Sequence, residues 1–182
     1  GQPPSYFSPY GVPALKDGPE GEYLTDRLTD EAVAFMESNR ERPFFLYFPH
    51  YAVHTPTQAK KDVQARYAAK VRDDDPQNNP GYAAMVEAVD QSVGRVMDAL
   101  DRLGLAEDTV VIFTSDNGGL GRVTSNAPLR EGKGTLYEGG VREPLIVRWP
   151  GRVAAGSLCD TPVCSVDFFP TIMEIATGPG PG

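Results

Sequence analysis

Cysteine, histidine and long apolar runs are all scarce in this 182-residue chain, and each scarcity excludes something. No hydrophobic stretch approaches the roughly 20 residues that span a bilayer, so a transmembrane segment is not expected. The two cysteines, Cys159 and Cys164, are spaced C-x4-C and fit no zinc-finger pattern. That spacing permits a disulfide, but two buried thiols are the expectation. Positive charge is also short: 17 Lys and Arg against 25 Asp and Glu give a net charge of -8. A nucleic-acid partner, which usually calls for a basic patch, is therefore not expected. An anionic substrate remains open, since a few placed cations or one metal ion can dominate a local site. The opening GQPPSYFSPYGVP has neither the charged start nor the apolar stretch of a secretory signal, and no internal repeat is found.

What is present is ordinary globular composition, 40% hydrophobic and 23% charged, in a length that suits one domain. Residues 1–23, rich in Pro, Gly and Tyr, read as an irregular lead-in wrapped on a surface, and GPGPG at 178–182 as a tail. TDRLTDEAVAFMESN places Leu28, Ala32, Phe35 and Met36 on one helical face, with Thr25 as N-cap. PFFLYF (43–48) reads as a buried strand, and residues 58–72 as a polar, helix-prone stretch. RDDDPQNNPG is a solvated loop. Ala83, Val86, Val89, Val93, Val96, Met97 and Leu100 then recur at spacings of three and four, predicting a long amphipathic helix that ends near Gly104. TVVIFTS (109–115), apolar without alternation, predicts a strand covered on both faces. PLIVRW (144–149) predicts another strand and VDFFPTIMEIAT a helix with Pro170 in its first turn. This order predicts an α/β fold, a mostly parallel sheet sandwiched by helices.

In such sheets the functional crevice lies at the carboxyl ends of strands. FFLYF runs into PHYAVHTP, which carries both histidines, His50 and His54. VVIFTS runs into Asp116-Asn117-Gly118-Gly119. Hard divalent cations take oxygen ligands from carboxylates and amide carbonyls, so Asp116 and Asn117 are candidate metal ligands. Neighbours on a regular strand point apart, and both reach one ion only if the backbone turns, as Gly118 and Gly119 permit. A plain turn uses the same residues. A histidine on a short, Pro-constrained loop can protonate a leaving oxygen or donate to an anion, which makes His54 the catalytic candidate and His50 the structural one. Lys133, between two glycines, suits a sulfate or phosphate oxygen as a point charge, although GKG alone is not a P-loop. Glu138 and Arg142 are expected to brace this loop as an ion pair.

Taken together, PFFLYF…VHTP, YAAMVEAVDQSVGRVMDAL, DTVVIFTSDNGG, LREGKGTLYEGGVREPLIVRWPG and TPVCSVDFFPTIMEIATG resemble the middle-to-late catalytic domain of type I sulfatases, of the alkaline phosphatase superfamily. The lead-in DGPEGEYLTDRLTDEA resembles bacterial sulfatases in particular. The resemblance runs in order over nearly the whole chain. It implies hydrolysis of a small-molecule or carbohydrate sulfate ester. In that reading Asp116 and Asn117 ligate a divalent metal, Ca2+, while Lys133 and His54 contact the sulfate and His54 assists departure of the alcohol.

The sulfatase nucleophile is a formylglycine made from Cys or Ser in a C/S-x-P-x-R motif. Neither cysteine fits, and the one x-P-x-R frame, Asn126 to Arg130, begins with an amide that cannot become the aldehyde. The paired aspartates and the G-K-W-H-type segment of the family are missing as well. The expectation is a partial sulfatase domain, cut at both ends and inactive alone. Two other readings stay open: a phosphate or phosphonate ester hydrolase of the same superfamily, and a non-catalytic anion-binding homologue. Bacterial relatives are commonly exported, so a periplasmic or extracellular location is expected.

Overall fold

The computed structural model describes residues 3–72 and 74–178, so the tail beyond 178 and one aspartate of the RDDDP loop lie outside the described residues. Contacts divide the chain into a larger unit, Gly1–Pro150, and a smaller one, Gly151–Gly182.

The larger unit is built on three helices: α1 (Leu24–Asn39), α2 (Lys61–Ala68) and α3 (Pro80–Arg102). α1 and α2 both pack on α3. Asn79 caps α3 by accepting from Tyr82 N, and Pro80 takes the first helical position, where its missing N–H costs nothing. The chain leaves α3 through Gly104, whose φ of +71° continues where a side chain would be strained.

Three helix details differ from expectation. α1 begins at Leu24, and Thr25 is buried within it rather than capping it. The Tyr6 carbonyl instead accepts from Leu24 N at 2.8 Å, which satisfies an otherwise orphaned donor at that helix start. On α3 the buried seam is Ala84, Met85, Ala88, Ser92, Ala99 and Leu100, while Val86 of the predicted valine stripe is 45% exposed. Small residues win this seam because they admit neighbouring helices closely. Thr29 of α1 and Ser92 of α3 join hydroxyls across it at 2.6 Å.

The lead-in is irregular but not merely wrapped on a surface. Tyr6 and Tyr10 are fully buried and, with Tyr23, Leu24, Val63 and Met85, make one of two core clusters. Their hydroxyls find partners, Tyr6 donating to the His54 carbonyl and Tyr10 to Glu22 Oε2. Burial pushes the Tyr6 phenol far above its ordinary range. The second cluster gathers Met36, Ala99, Leu100 and Ala106, with Phe44, Leu46 and Val111 packed against it.

The sheet corrects the sequence reading. β1 (Val111–Thr114) and β2 (Leu145–Arg148) pair antiparallel, Val111 opposite Arg148 and Thr114 opposite Leu145. A parallel pair is usually joined by a crossover helix, and the segment 115–144 between these strands holds only the four-residue α4 (Glu138–Val141). PFFLYF takes no regular secondary structure and joins no ladder. Nor is β1 covered on both faces: Phe113 and all three apolar residues of β2 are more than a third exposed. Among the described residues the fold is a partial α/β structure with a two-stranded sheet.

The smaller unit holds a 3-10 turn, Ser165–Asp167, leading into α5 (Phe168–Thr177), with Pro170 in the first helical turn. Cys159 and Cys164 are free and exposed, not buried. Cys164 is used through its backbone, its N–H donating to Asp167 Oδ2 at 2.7 Å. Among the described residues no helix is long and apolar enough to cross a membrane.

Candidate active site

The strand β1 ends where its sequence turns polar, and the chain does turn there. Asn117 Nδ2 lies 2.5 Å from Asp116 Oδ2, so two adjacent side chains face each other rather than opposite sides of a sheet. The glycines make this possible by admitting other backbone. A Cβ on Gly118 would stand 1.7 Å from the Gly139 carbonyl oxygen, and one on Gly119 2.5 Å from Thr124. Gly132, Gly139 and Gly140 are equally crowded, each with a backbone oxygen within 2.4 Å of where a Cβ would be. The loop between β1 and β2 is thus a knot of backbone packed on backbone.

One side chain ties the knot. Asn126 Oδ1 accepts from Gly119 N at 2.9 Å, and Asn126 Nδ2 donates to Gly119 O at 2.8 Å. The same carbonyl accepts from Lys133 N at 3.1 Å. Lys133 is therefore fixed, through its backbone, to Gly119, which stands two residues past the Asp116-Asn117 pair. Its side chain is exposed and, among the described residues, forms no ion pair. Neighbouring cations are engaged: Arg130 lies 3.8 Å over the Tyr137 ring, and Arg142 reaches Glu138 at 3.5 Å, the brace the sequence predicts. Glu131 adopts a left-handed φ of +62°, uncommon for a residue with a side chain, where its carbonyl lies under Gly139.

His54 is exposed on the loop after PFFLYF. Its N–H donates to Tyr51 O at 2.9 Å, and its carbonyl takes the hydroxyl of buried Tyr6. The ring Nδ1 lies 2.9 Å from Thr55 O. A carbonyl can only accept, so Nδ1 carries the proton and Nε2 is the nitrogen left for chemistry. His50 differs. Its Nε2 meets Ser92 Oγ at 2.9 Å, its ring packs 4.3 Å from Phe48, and burial pushes its pKa below the usual 6.5.

The structure joins Asp116 to Asn117 directly and Lys133 to their loop through Gly119. The hydrogen bonds do not extend from these three to His54. Thr57 abuts Gly81 in the first turn of α3, and Gln77, in the segment leading into α3, donates to Ser125 O at 2.7 Å, next to Asn126. Asn126 is the residue that sequence reading missed. It attracted notice only as the wrong first residue of an x-P-x-R frame, and no spacing rule marks an amide that clamps a glycine seven positions earlier.

Asp116 and Asn117 offer the hard oxygens that a calcium or magnesium ion takes, but only two of the six or more it needs. No group of three or more His, Cys, Asp or Glu side chains gathers as a metal site among the described residues. The pair fits as part of a cation's shell and not as the whole of it.

Comparison with known proteins is consistent along the chain. The Sulfatase family model matches residues 2–178. A sulfatase of Formosa agariphila is 45% identical over 166 residues, covering 85% of this chain and 30% of that protein. Human steryl-sulfatase is 38% identical over 167 residues, covering 87% and 27%. Among solved structures, Ps i-CgsB in complex with k-i-k-neocarrahexaose superposes with a TM-score of 0.80 at 38% identity, over 91% of this chain and 37% of that one. The chain spans about a third or less of the curated relatives it matches.

Proposed function

The chain belongs to the sulfatase family, and from that premise we propose that it forms part of a sulfuric ester hydrolase, converting R-O-SO3⁻ and water to ROH, sulfate and a proton. The observation that carries this reading is the glycine knot, which holds an acid-amide pair and an exposed ammonium on one loop. Lys133 binds a sulfuryl oxygen as a point charge. In its protonated form His54 donates from Nε2 to the leaving alcohol oxygen, with Nδ1 held by Thr55. Asp116 and Asn117 contribute two oxygen ligands to a divalent cation, Ca2+ in this proposal. When bound, that ion supplies positive charge against the sulfuryl oxygens. No fuller set of cation ligands gathers among the described residues, and the formylglycine motif is not found in the sequence, since Asn126 heads the x-P-x-R frame and serves as a clamp.

The substrate is proposed to be a carbohydrate or small-molecule sulfate ester, and the neocarrahexaose bound to the solved neighbour favours a carbohydrate. The location is proposed to be periplasmic or extracellular. The test is turnover of an aryl sulfate. Residues 1–182 alone give none. A polypeptide that adds a C/S-x-P-x-R segment turns the substrate over, and Lys133→Ala or His54→Ala each lowers kcat/KM by about 10²-fold or more. Full activity in either variant, or turnover by residues 1–182 alone, refutes the assignment.

A further inference from the structure

Tyr6 is fully buried, yet its polar groups reach separate parts of the chain. Its carbonyl accepts from Leu24 N at 2.8 Å, at the start of α1. Its N–H donates to Gln58 Oε1 at 2.8 Å, and its hydroxyl donates to the His54 carbonyl at 2.9 Å. One residue thus braces the loop after PFFLYF at His54 and again at Gln58, and ties both points to a helix. Tyr23, its ring 6.1 Å from that of Tyr6, adds a further tie by donating to Gln58 O at 2.9 Å. Ahead of His54, His50 Nε2 meets Ser92 of α3.

The loop is held firmly, whereas the His54 ring itself is exposed. An exposed imidazole changes rotamer freely unless something holds it, and proton transfer requires a placed donor. The ring's own tie is Nδ1 to Thr55 O. That carbonyl stands one peptide beyond the His54 carbonyl. A hydrogen bond to His54 O therefore fixes the peptide plane from which Thr55 O is hung, and Thr55 O in turn fixes the ring. Tyr6 supplies that hydrogen bond from the core, with a donor that does not titrate: burial holds its phenol far above the ordinary range, so the proton stays on. A buried hydroxyl without an acceptor is costly, which keeps this bond made.

We propose that Tyr6 is a positioning residue for the proton donor: its hydroxyl, through the His54 carbonyl, holds His54 Nε2 where it meets the leaving alcohol oxygen. This inference rests on the role given to His54 in the proposed hydrolysis. It adds a residue 48 positions away that is fully buried and touches no substrate. As the S–O bond breaks, the proton on Nε2 passes to the departing oxygen, leaving ROH and a neutral imidazole. That transfer counts for most when the departing oxygen is strongly basic and for little when it is already stable. Misplacing the donor is therefore read in the leaving group, whereas loss of folded protein lowers every rate by one factor.

The experiment uses the polypeptide that joins residues 1–182 to a C/S-x-P-x-R segment, with aryl sulfates whose departing phenols differ in basicity. In Tyr6→Phe the loss in kcat/KM grows along the series, from about twofold with para-nitrophenyl sulfate to about tenfold with phenyl sulfate. His54→Ala shows the same dependence more steeply. Tyr23→Phe is the control: it removes a comparable buried hydroxyl that serves Gln58 and not His54, so any loss is equal for all leaving groups. Gln58→Leu frees the Tyr6 N–H, spares its hydroxyl and gives the Tyr6→Phe dependence in weaker form. A Tyr6→Phe loss that is absent, or equal for every leaving group, overturns the positioning role and leaves His54 as the donor. Where Tyr6→Phe does not fold, a flat profile in Gln58→Leu overturns it instead. A flat profile in His54→Ala, or no turnover by the parent, removes the donor and this proposal with it.

Discussion

The helical region, residues 24–102, and the loop of residues 115–144 are held together by opposite means. In the helices, side chains do the packing: Met85, Leu100 and Met36 are fully or nearly fully buried, and Thr29 meets Ser92 across the seam. In the loop, side chains are almost absent from the contacts. Gly118 meets Gly139, and Gly139 meets the carbonyls of Arg130 and Glu131, with Asn126 as the fastener. Interior helix packing tolerates volume-conserving exchange, because the contact is a shape that several residues can fill. A backbone-on-backbone contact tolerates no added atom at all. A loop required to hold an acid, an amide and a cation in fixed relation gains rigidity from that intolerance, at the cost of needing glycine at nearly every crossing.

This contrast is open to direct attack. The largest effect is expected from Gly118→Ala, whose methyl would lie 1.7 Å from a backbone oxygen. The knot must open, and denaturant unfolding should show a loss of about 3 kcal/mol or more. Gly121→Ala, in the same loop with nothing within 4 Å, is the control and should change little. Next comes Asn126→Ala, which leaves the Gly119 N–H without its acceptor and should cost about 1–3 kcal/mol. Hydrogen exchange should speed at Gly119 and Lys133, while amides of α3 keep their protection. An equal loss of protection in α3 would show that the two regions are one cooperative body.

The same substitution reverses sign in the helix. Gly94 lies inside α3 with open space where a Cβ would go, so Gly94→Ala should stabilise by about 0.5–1 kcal/mol and raise the melting temperature. The smallest effect is on the pH dependence of the helical core. His50 is buried against Ser92 and Phe48, and its folded pKa is depressed, so the unfolded chain binds the proton more readily. Its contribution is present above pH 6.5, the unfolded value, and is lost as pH falls from there toward the lower folded pKa. Melting temperature should fall more steeply below pH 6.5 in the parent than in His50→Gln. Parallel profiles would place the titration elsewhere.

Much of the helical half was legible in the sequence, because periodicity reports burial whenever one face of a helix is covered. Its limits show on α3, where the predicted stripe is half-buried apart from exposed Val86 and buried Leu100, and the most buried seam, Ala84, Met85, Ala88 and Ser92, runs beside it. Hydrophobicity predicts which face should be covered, and partner geometry decides which face is. The candidate residues at the strand ends were legible by type and position. Their arrangement was not: that Asn126 would clamp Gly119, or that Tyr6 would hold the His54 carbonyl across 48 residues, follows no local rule.

The sequence by itself determined which segments are helical, though not their first residues, that an acid-amide pair closes an apolar strand, and which family the ordered motifs resemble. These are properties of neighbours along the chain, set by backbone preference and side-chain period. Only the tertiary structure decided that the two strands run antiparallel, that the cysteines are exposed, that the lead-in tyrosines are core, and that 43–48 joins no ladder. Those outcomes depend on which distant backbone arrives at a given edge. A hydrogen-bond ladder is a relation between two segments, and no segment carries that relation alone.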